Sequence, residues 1–498
     1  MQYISTREKA VRRPSAAAIA KGLSDEGGLF VPEELPQISP EALEAMVDMP
    51  YEERAKKVLS LFLTDYTKGE LNDCVMGAYG DGKFAHPEIA PVKKLCDNQY
   101  MLELWHGPTC AFKDMALQIL PRLMTAAMKK LGETNEVVVL VATSGDTGKA
   151  ALEGFKDVDG TRIVVFYPAQ GVSDIQRLQM VTQRGDNVAV CAVNGNFDDA
   201  QNGVKAIFTD KDYGERLLAK NKVLSSANSI NWGRLVPQVV YYVSAYCDMV
   251  KNKDIAMGDV VNVCVPTGNF GNILAAYYAK RMGVPIGRFI CASNANNVLT
   301  DFLSTGEYNL NRAFYTTISP SMDILISSNL ERLLFELFGR DDKMVVEKME
   351  ELKATGKYTL DAGTLSRLQA EFYGGFCGDT DTKEAIARIY RECGYLCDTH
   401  TAVGVQVHAS YMEKTGDTTK TIIASTASPF KFGDSVAGAV LGDEVVEGLG
   451  PFELLREVAG LAGTDAPASL AELSDLRPRF RQVCEKKEMM EQLDMFLA

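Results

Sequence analysis

The 498-residue sequence has no uninterrupted apolar stretch of about 20 residues, so nothing in it reads as a segment built to cross a bilayer. Basic residues are in deficit. Lysines and arginines number 52 against 66 aspartates and glutamates, and the formal net charge of -14 argues against a general affinity for nucleic acid or anionic membrane, which need a basic surface. An anionic small molecule stays possible, because a few cations and amide dipoles in one cleft can hold a phosphate while the remaining surface is acidic. The N-terminus, MQYISTREKA, lacks the apolar core of a signal peptide, and a soluble cytoplasmic protein is expected. Cys-x-x-Cys pairs are missing too. The 11 cysteines are scattered and odd in number, several within apolar runs such as those at Cys191 and Cys264, which suits reduced buried thiols better than a disulfide framework. No internal repeat or low-complexity segment is found.

What is present is a globular composition, 46% hydrophobic and 24% charged, in a chain longer than one core usually supports. Short β-branched runs alternate with helical segments: EVVVLVA, TRIVVFYP, NVAVCAV, VVNVCVP, IGRFICA and TIIAS. The fold class is therefore α/β, with mostly parallel sheets and crossover helices. A loop, DEGGLFVPEELPQ, and an amphipathic run, YEERAKKVLSLFLTDY, make residues 1–95 an N-terminal cap. Residues 96–434 form the catalytic region, with two subdomains and the site between them, and 435–498 a helical C-terminal region. Between 297 and 380 helices dominate and no strand alternation is apparent.

Ligands in such sheets sit beyond the carboxyl ends of strands, where loops meet helix N-termini. Three of these junctions are chemically distinctive. PTGNFGN precedes the apolar run ILAAYYAKRMG, so backbone N–H groups of Gly268, Asn269, Phe270, Gly271 and Asn272 would converge on a phosphate, although the same turn also serves as a plain strand-to-helix connection. No Gly-Lys-Ser/Thr follows, so it is not a Walker loop. TSGDTGKAA is richer in hydroxyls and suits a carboxylate or phosphate, or simply an N-cap at Asp146 or Thr147. The third junction is STASPFKFGDS.

Lys113, in HGPTCAFKD, opens the helical run DMALQILPRLMTAAMKKLG. A lysine at a helix start meets the positive end of the dipole, which depresses its pKa and suits a Schiff-base amine; pairing with Asp114 is the plainer reading. Cys393, Cys397, His400 and His408 approach zinc-ligand spacing, but without paired Cys-x-x-Cys no metal is expected. Of the lone histidines, His86 reads as structural and His106 as a support for the lysine segment.

The set of segments says more than any one. YISTR, AIAKGLSDEGGLFVPE, HGPTCAFKD, TSGDTGKAA, SANSINWGR, PTGNFGN, DTHTAVG and STASPFKF stand in the order and approximate spacing of threonine synthases, from the first residues to at least Asp434. The chain thus resembles the bacterial and fungal type of that family, within the tryptophan-synthase-β-like (fold type II) pyridoxal-phosphate enzymes.

The resemblance implies that Lys113 carries pyridoxal 5'-phosphate as a Schiff base and moves protons. It implies that residues 268–272 cup the cofactor phosphate, that Thr426 faces the pyridine nitrogen, and that Ser144, Asp146 and Thr147 border the cofactor and receive substrate anionic groups. Asn228, Asn231 and Arg234 look like a substrate shell, with Arg234 on the departing phosphate. The reaction implied is O-phospho-L-homoserine and water to L-threonine and phosphate, in a monomer, with a dimer as the alternative. The family usually has a histidine and an alanine where this chain has Ser428 and Phe430, while Lys431 keeps the pattern. Rival readings are another lyase of the same fold, such as a serine or threonine dehydratase or a phospholyase, and a catalytically silent relative, against which the intact Lys113 stands.

Overall fold

The computed structural model describes every residue except Asp97, Ser144 and Gly171. The six β-branched runs are strands, and they divide between two sheets. In the larger sheet the order is Phe372–Phe376, Ile286–Ser293, Val261–Pro266, Thr421–Ser425, Gln99–Glu103 and Val92–Cys96. Its first five strands are mutually parallel, and only the last pairs antiparallel. The smaller sheet, Val483–Glu485, Val188–Asn194, Thr161–Pro168, Glu136–Ala142 and Lys222–Ser225, is parallel throughout. Central strands such as VNVCVP and TIIAS are buried at every residue, which is why they are continuous apolar runs without alternation.

Several strands have no such run. Phe372–Phe376 reads FYGGF, and its glycines are there because helices lie directly on it: an added Cβ on Gly374 would be 3.0 Å from the Thr300 Cα, and one on Gly375 would be 2.6 Å from a Val407 methyl. With the short pair Glu307–Asn309 and Lys357–Thr359, it gives the 297–380 stretch strands that its helices mask. The C-terminal stretch is likewise not helical alone, since the three residues Val483–Glu485 extend the smaller sheet. Three residues are too few to show a period.

The N-terminal cap is built on a three-stranded antiparallel sheet, Arg12–Pro14, Gln2–Ser5 and Phe30–Pro32, and on helices Tyr51–Phe62 and Lys68–Tyr79. It shares its core with the larger sheet. Tyr3 and Phe62 flank Trp232 at ring distances of 5.4 and 5.6 Å, and buried Arg54 pairs with Asp248 on the same helix, Trp232–Lys251. That contact fixes the start of a helix whose third residue is Arg234. Among the described residues no helix is long and apolar enough to cross a membrane.

Candidate active site

A cavity of about 230 Å3 lies where strand ends of both sheets meet. On the larger sheet, Val261–Pro266 passes through a turn into helix Gly271–Arg281. Phe270, buried and packed on Phe372, holds φ at 63°, a left-handed conformation that costs a non-glycine residue roughly 1 kcal/mol. The turn leaves the N–H groups of Asn269, Phe270, Gly271 and Asn272 without an acceptor among the described residues. Asn272 Oδ1 accepts from the hydroxyls of Tyr241, at 2.8 Å, and Tyr242. Its amide nitrogen is thereby turned away from them, buried at the cavity wall with no partner among the described residues. The two glycines differ in what requires them. A Cβ on Gly268 would stand 2.7 Å from the Ser321 carbonyl oxygen, whereas one on Gly271 meets nothing nearer than Asn329 Nδ2 at 3.4 Å.

Lys113 immediately precedes a single helical turn, Asp114–Leu117. A four-residue helix carries little dipole, so the cause expected from sequence is secondary. Burial is the main one: it pushes the Lys113 amine down to about 8, against Asp146 and with help from Arg234 and Lys431. Nζ donates to Ser321 Oγ at 3.0 Å and is 3.9 Å from Asp146. Asp114 does not serve as its ion-pair partner, because it accepts the Thr109 N–H and hydroxyl, each at 2.8 Å. Burial raises Asp114 to about 6.

From the smaller sheet, Gly145 at φ 147° turns strand Glu136–Ala142 into helix Asp146–Phe155. Burial alone would raise the Asp146 carboxyl, but Lys431 and Lys113 override it and hold the group well below the usual carboxylate range. Its Oδ1 is committed to Lys431 Nζ at 2.6 Å and Gln176 Nε2 at 2.9 Å, and Oδ2 faces Lys113 Nζ at 3.9 Å. Asp146 is thus a charge partner for the two lysines at the cavity wall, in the loop expected from sequence to border the cofactor. Thr147 lines the cavity beside it. Ser144, the third residue expected here, lies outside the described residues.

Arg234 and Asn228 line the opposite wall. Arg234 is buried, which lowers its guanidinium to about 10, and it donates to the Ala227 carbonyl at 2.6 Å. Among the described residues no carboxylate pairs with it. A buried cation without a counter-ion, facing a cavity, is a site for an anion. Asn231, also expected in the substrate shell, does not line the cavity. Its amide caps the helix by accepting the Gly233 N–H at 2.8 Å and donates to the Ile19 carbonyl at 2.9 Å, so both of its ends are spent on structure. Thr426 does line the cavity, and its carbonyl accepts the Phe112 N–H at 2.8 Å, which ties it to the lysine segment.

Three groups escaped the sequence reading. Ser321, the acceptor for Lys113, sits in a loop with no motif. Lys431, to which the sequence assigns no role, is buried on Asp146 and the Thr109 carbonyl. His400 lines the cavity and bonds Asp398 at 2.8 Å, while His408 bonds Gln99 at 3.0 Å, so these two histidines serve separate places. DTHTAVG was the available signal. His106 bonds Glu103 at 2.8 Å and stacks on Trp105 at the strand end before the lysine segment. Ser428 and Phe430 are both buried, and nothing in the structure explains the substitutions there.

Comparison with known proteins agrees with this geometry. Three family descriptions match successive parts of the chain: threonine synthase N terminus over residues 2–79, pyridoxal-phosphate dependent enzyme over 91–368, and threonine synthase, C-terminal, over 401–493. Human threonine synthase-like 1 is 41% identical across 89% of the chain, which spans 61% of that protein's length. Threonine synthase of Pseudomonas aeruginosa is 40% identical, with 89% of this chain and 91% of that one aligned. The crystal structure of PLP-bound threonine synthase from Brucella melitensis, 37% identical, superimposes with a TM-score of 0.87 over 100% of this chain and 99% of its own. The chain belongs to the threonine synthase family of pyridoxal-phosphate-dependent enzymes.

Proposed function

We propose that this protein converts O-phospho-L-homoserine and water into L-threonine and phosphate, using pyridoxal 5'-phosphate held on Lys113. One observation carries the reading: the Lys113 amine stands in a single cavity that has two anion poles of different kinds. One pole is the cup of neutral N–H groups with the unpartnered Asn272 amide, and the other is the guanidinium of Arg234. The cup's uncommitted donors at a helix N-terminus fit the cofactor phosphate. Arg234 is left for the phosphate of the substrate. A phosphorylated substrate brings a phosphate dianion in addition to its α-carboxylate, and a buried guanidinium at the second pole suits that dianion.

Pyridoxal phosphate supplies the electron sink that acidifies hydrogens on the substrate carbons. The chain's part is positional and protonic. Lys113, with its pKa near 8, exchanges protons close to neutral pH. Thr426 offers the ring nitrogen a neutral hydroxyl, and Arg234 with Thr147 and Asn228 holds the phosphate as it departs, stabilising the charge it gains. The test is inorganic phosphate and threonine release from O-phospho-L-homoserine by the cofactor-loaded protein. Equal amounts of the two are expected. Ammonia release from serine or threonine with no phosphate release from the phosphorylated substrate would overturn the assignment.

A further inference from the structure

The DTHTAVG segment opens helix Thr399–Thr415, with Asp398 as its N-cap. Asp398 is fully buried, and its two carboxylate oxygens lead in different directions. Oδ1 accepts the His400 N–H at 2.8 Å and bonds His400 Nδ1 at 2.8 Å. On the far side of the ring, Nε2 lies 3.1 Å from the backbone nitrogen of Ser321. A backbone N–H can only donate, so Nε2 must be the bare nitrogen, and the proton must be on Nδ1, facing Asp398. Ser321 in turn accepts the Lys113 amine through Oγ at 3.0 Å. Oδ2 accepts the Thr401 hydroxyl, whose oxygen takes the Thr426 N–H at 3.3 Å.

We propose that Asp398 is a positioning residue that sets both chemical ends of the site at once. Through His400 and Ser321 it aims the Lys113 amine, and through Thr401 it fixes the backbone of Thr426. The inference rests on the cofactor reading given above. Its physical requirement is two acceptor oxygens. A carboxylate has them and an amide has one, so Asp398→Asn keeps the N-cap but can satisfy only one arm. If the amide presents its NH2 to His400, the ring must move its proton to Nε2, where it collides with the Ser321 N–H. If it presents the NH2 to Thr401, that hydroxyl loses its acceptor on the N-cap and must turn its proton to Ser425 Oγ, 3.3 Å away, which disturbs its hold on the Thr426 N–H.

The arms are separable by His400→Gln and Thr401→Val, each made beside Asp398→Asn in the full-length chain. Three readings are taken: the rate at which added pyridoxal phosphate couples to Lys113 in the apoprotein, trapped by borohydride; the position of the visible absorbance of the loaded protein, which reports the surroundings of the ring nitrogen; and the apoprotein melting curve. His400→Gln is expected to slow coupling about tenfold, the scale of one lost hydrogen bond that orients an ionisable group, and to leave the absorbance position alone. Thr401→Val is expected to move the absorbance and leave coupling within about twofold. Asp398→Asn should do either or both at a melting temperature close to wild type. Unchanged coupling in His400→Gln together with unchanged absorbance in Thr401→Val overturns the proposal, even should Asp398→Asn fail to fold. Equal coupling in Lys113→Ala and wild type would instead overturn the cofactor reading, and this inference with it.

Discussion

Two buried lysines share one carboxylate in this cleft, and their difference separates chemistry from architecture. Lys431 sits 2.6 Å from Asp146 and 3.0 Å from the Thr109 carbonyl, so its charge is matched on the spot. Lys113 stands 3.9 Å from the same aspartate and gives its hydrogen bond to a neutral serine hydroxyl. Burial of the incompletely matched Lys113 pushes its amine down to about 8. Both side chains are buried; they differ in how closely Asp146 holds each of them.

The largest effect should come from breaking this contrast at each lysine in turn. Lys113→Ala is expected to reduce threonine formation by about ten thousandfold, the upper range for a proton-transferring group, while the apoprotein does not lose melting temperature, because Asp146 remains paired with Lys431 and the cost of a buried ammonium is removed. Lys431→Met should do the opposite. It strands a buried carboxylate, which costs about 4 kcal/mol of unfolding free energy in a denaturant titration. A stable Lys431→Met protein would mean that Asp146 needs no partner, and the division of roles would fall. Next in size is Arg234, a cation with no carboxylate partner among the described residues. Arg234→Ala is expected to keep bound cofactor and lower kcat/KM for O-phospho-L-homoserine by about a hundredfold, or ~3 kcal/mol, with Arg234→Lys recovering part because one ammonium cannot make paired contacts. Loss of cofactor and thermal stability together would reduce Arg234 to a packing role.

How much of this the sequence could disclose follows from where each interaction lies along the chain. The central strands of both sheets are legible because burial on two faces forces apolar runs, and the loops that follow them are legible because ligands collect there. Gly268–Asn272, Thr147, Arg234 and Thr426 all line the cavity. FYGGF is hidden because close helix packing demands glycines in place of β-branched residues. The ion pair of Asp146 is hidden from the sequence, since the lysine that claims it follows a distant strand. Asn231 shows the same limit from the other side, as an asparagine in a substrate motif and one that caps a helix are spelled alike. Ser321 has no local pattern of any kind.

The smallest expected effect is a pH dependence of the cofactor-free protein, and it tests the lysine contrast without any chemistry. In the folded apoprotein the Lys113 amine titrates near 8, while in the unfolded chain it titrates at about 10.4. Below pH 8 both states carry the proton, and the folded state bears the full cost of a buried charge. As the pH rises through 8, the folded protein releases the proton and the unfolded chain keeps it, so the unfolded state binds more protons and stability increases. The gain ends once the unfolded chain also titrates, and its slope is at most about 1.4 kcal/mol per pH unit. Other groups titrate in the same range, so the quantity to follow is the difference in unfolding free energy between wild type and Lys113→Met. That difference should be level below pH 7 and move by about 1 kcal/mol in favour of wild type between pH 8 and 9. Asp146→Asn removes the carboxylate that raises Lys113 most, ahead of Asp114, so the rise should begin at lower pH in that background. A difference that stays level from pH 7 to 10 would mean that Lys113 is matched as fully as Lys431, and the distinction between the two would not stand.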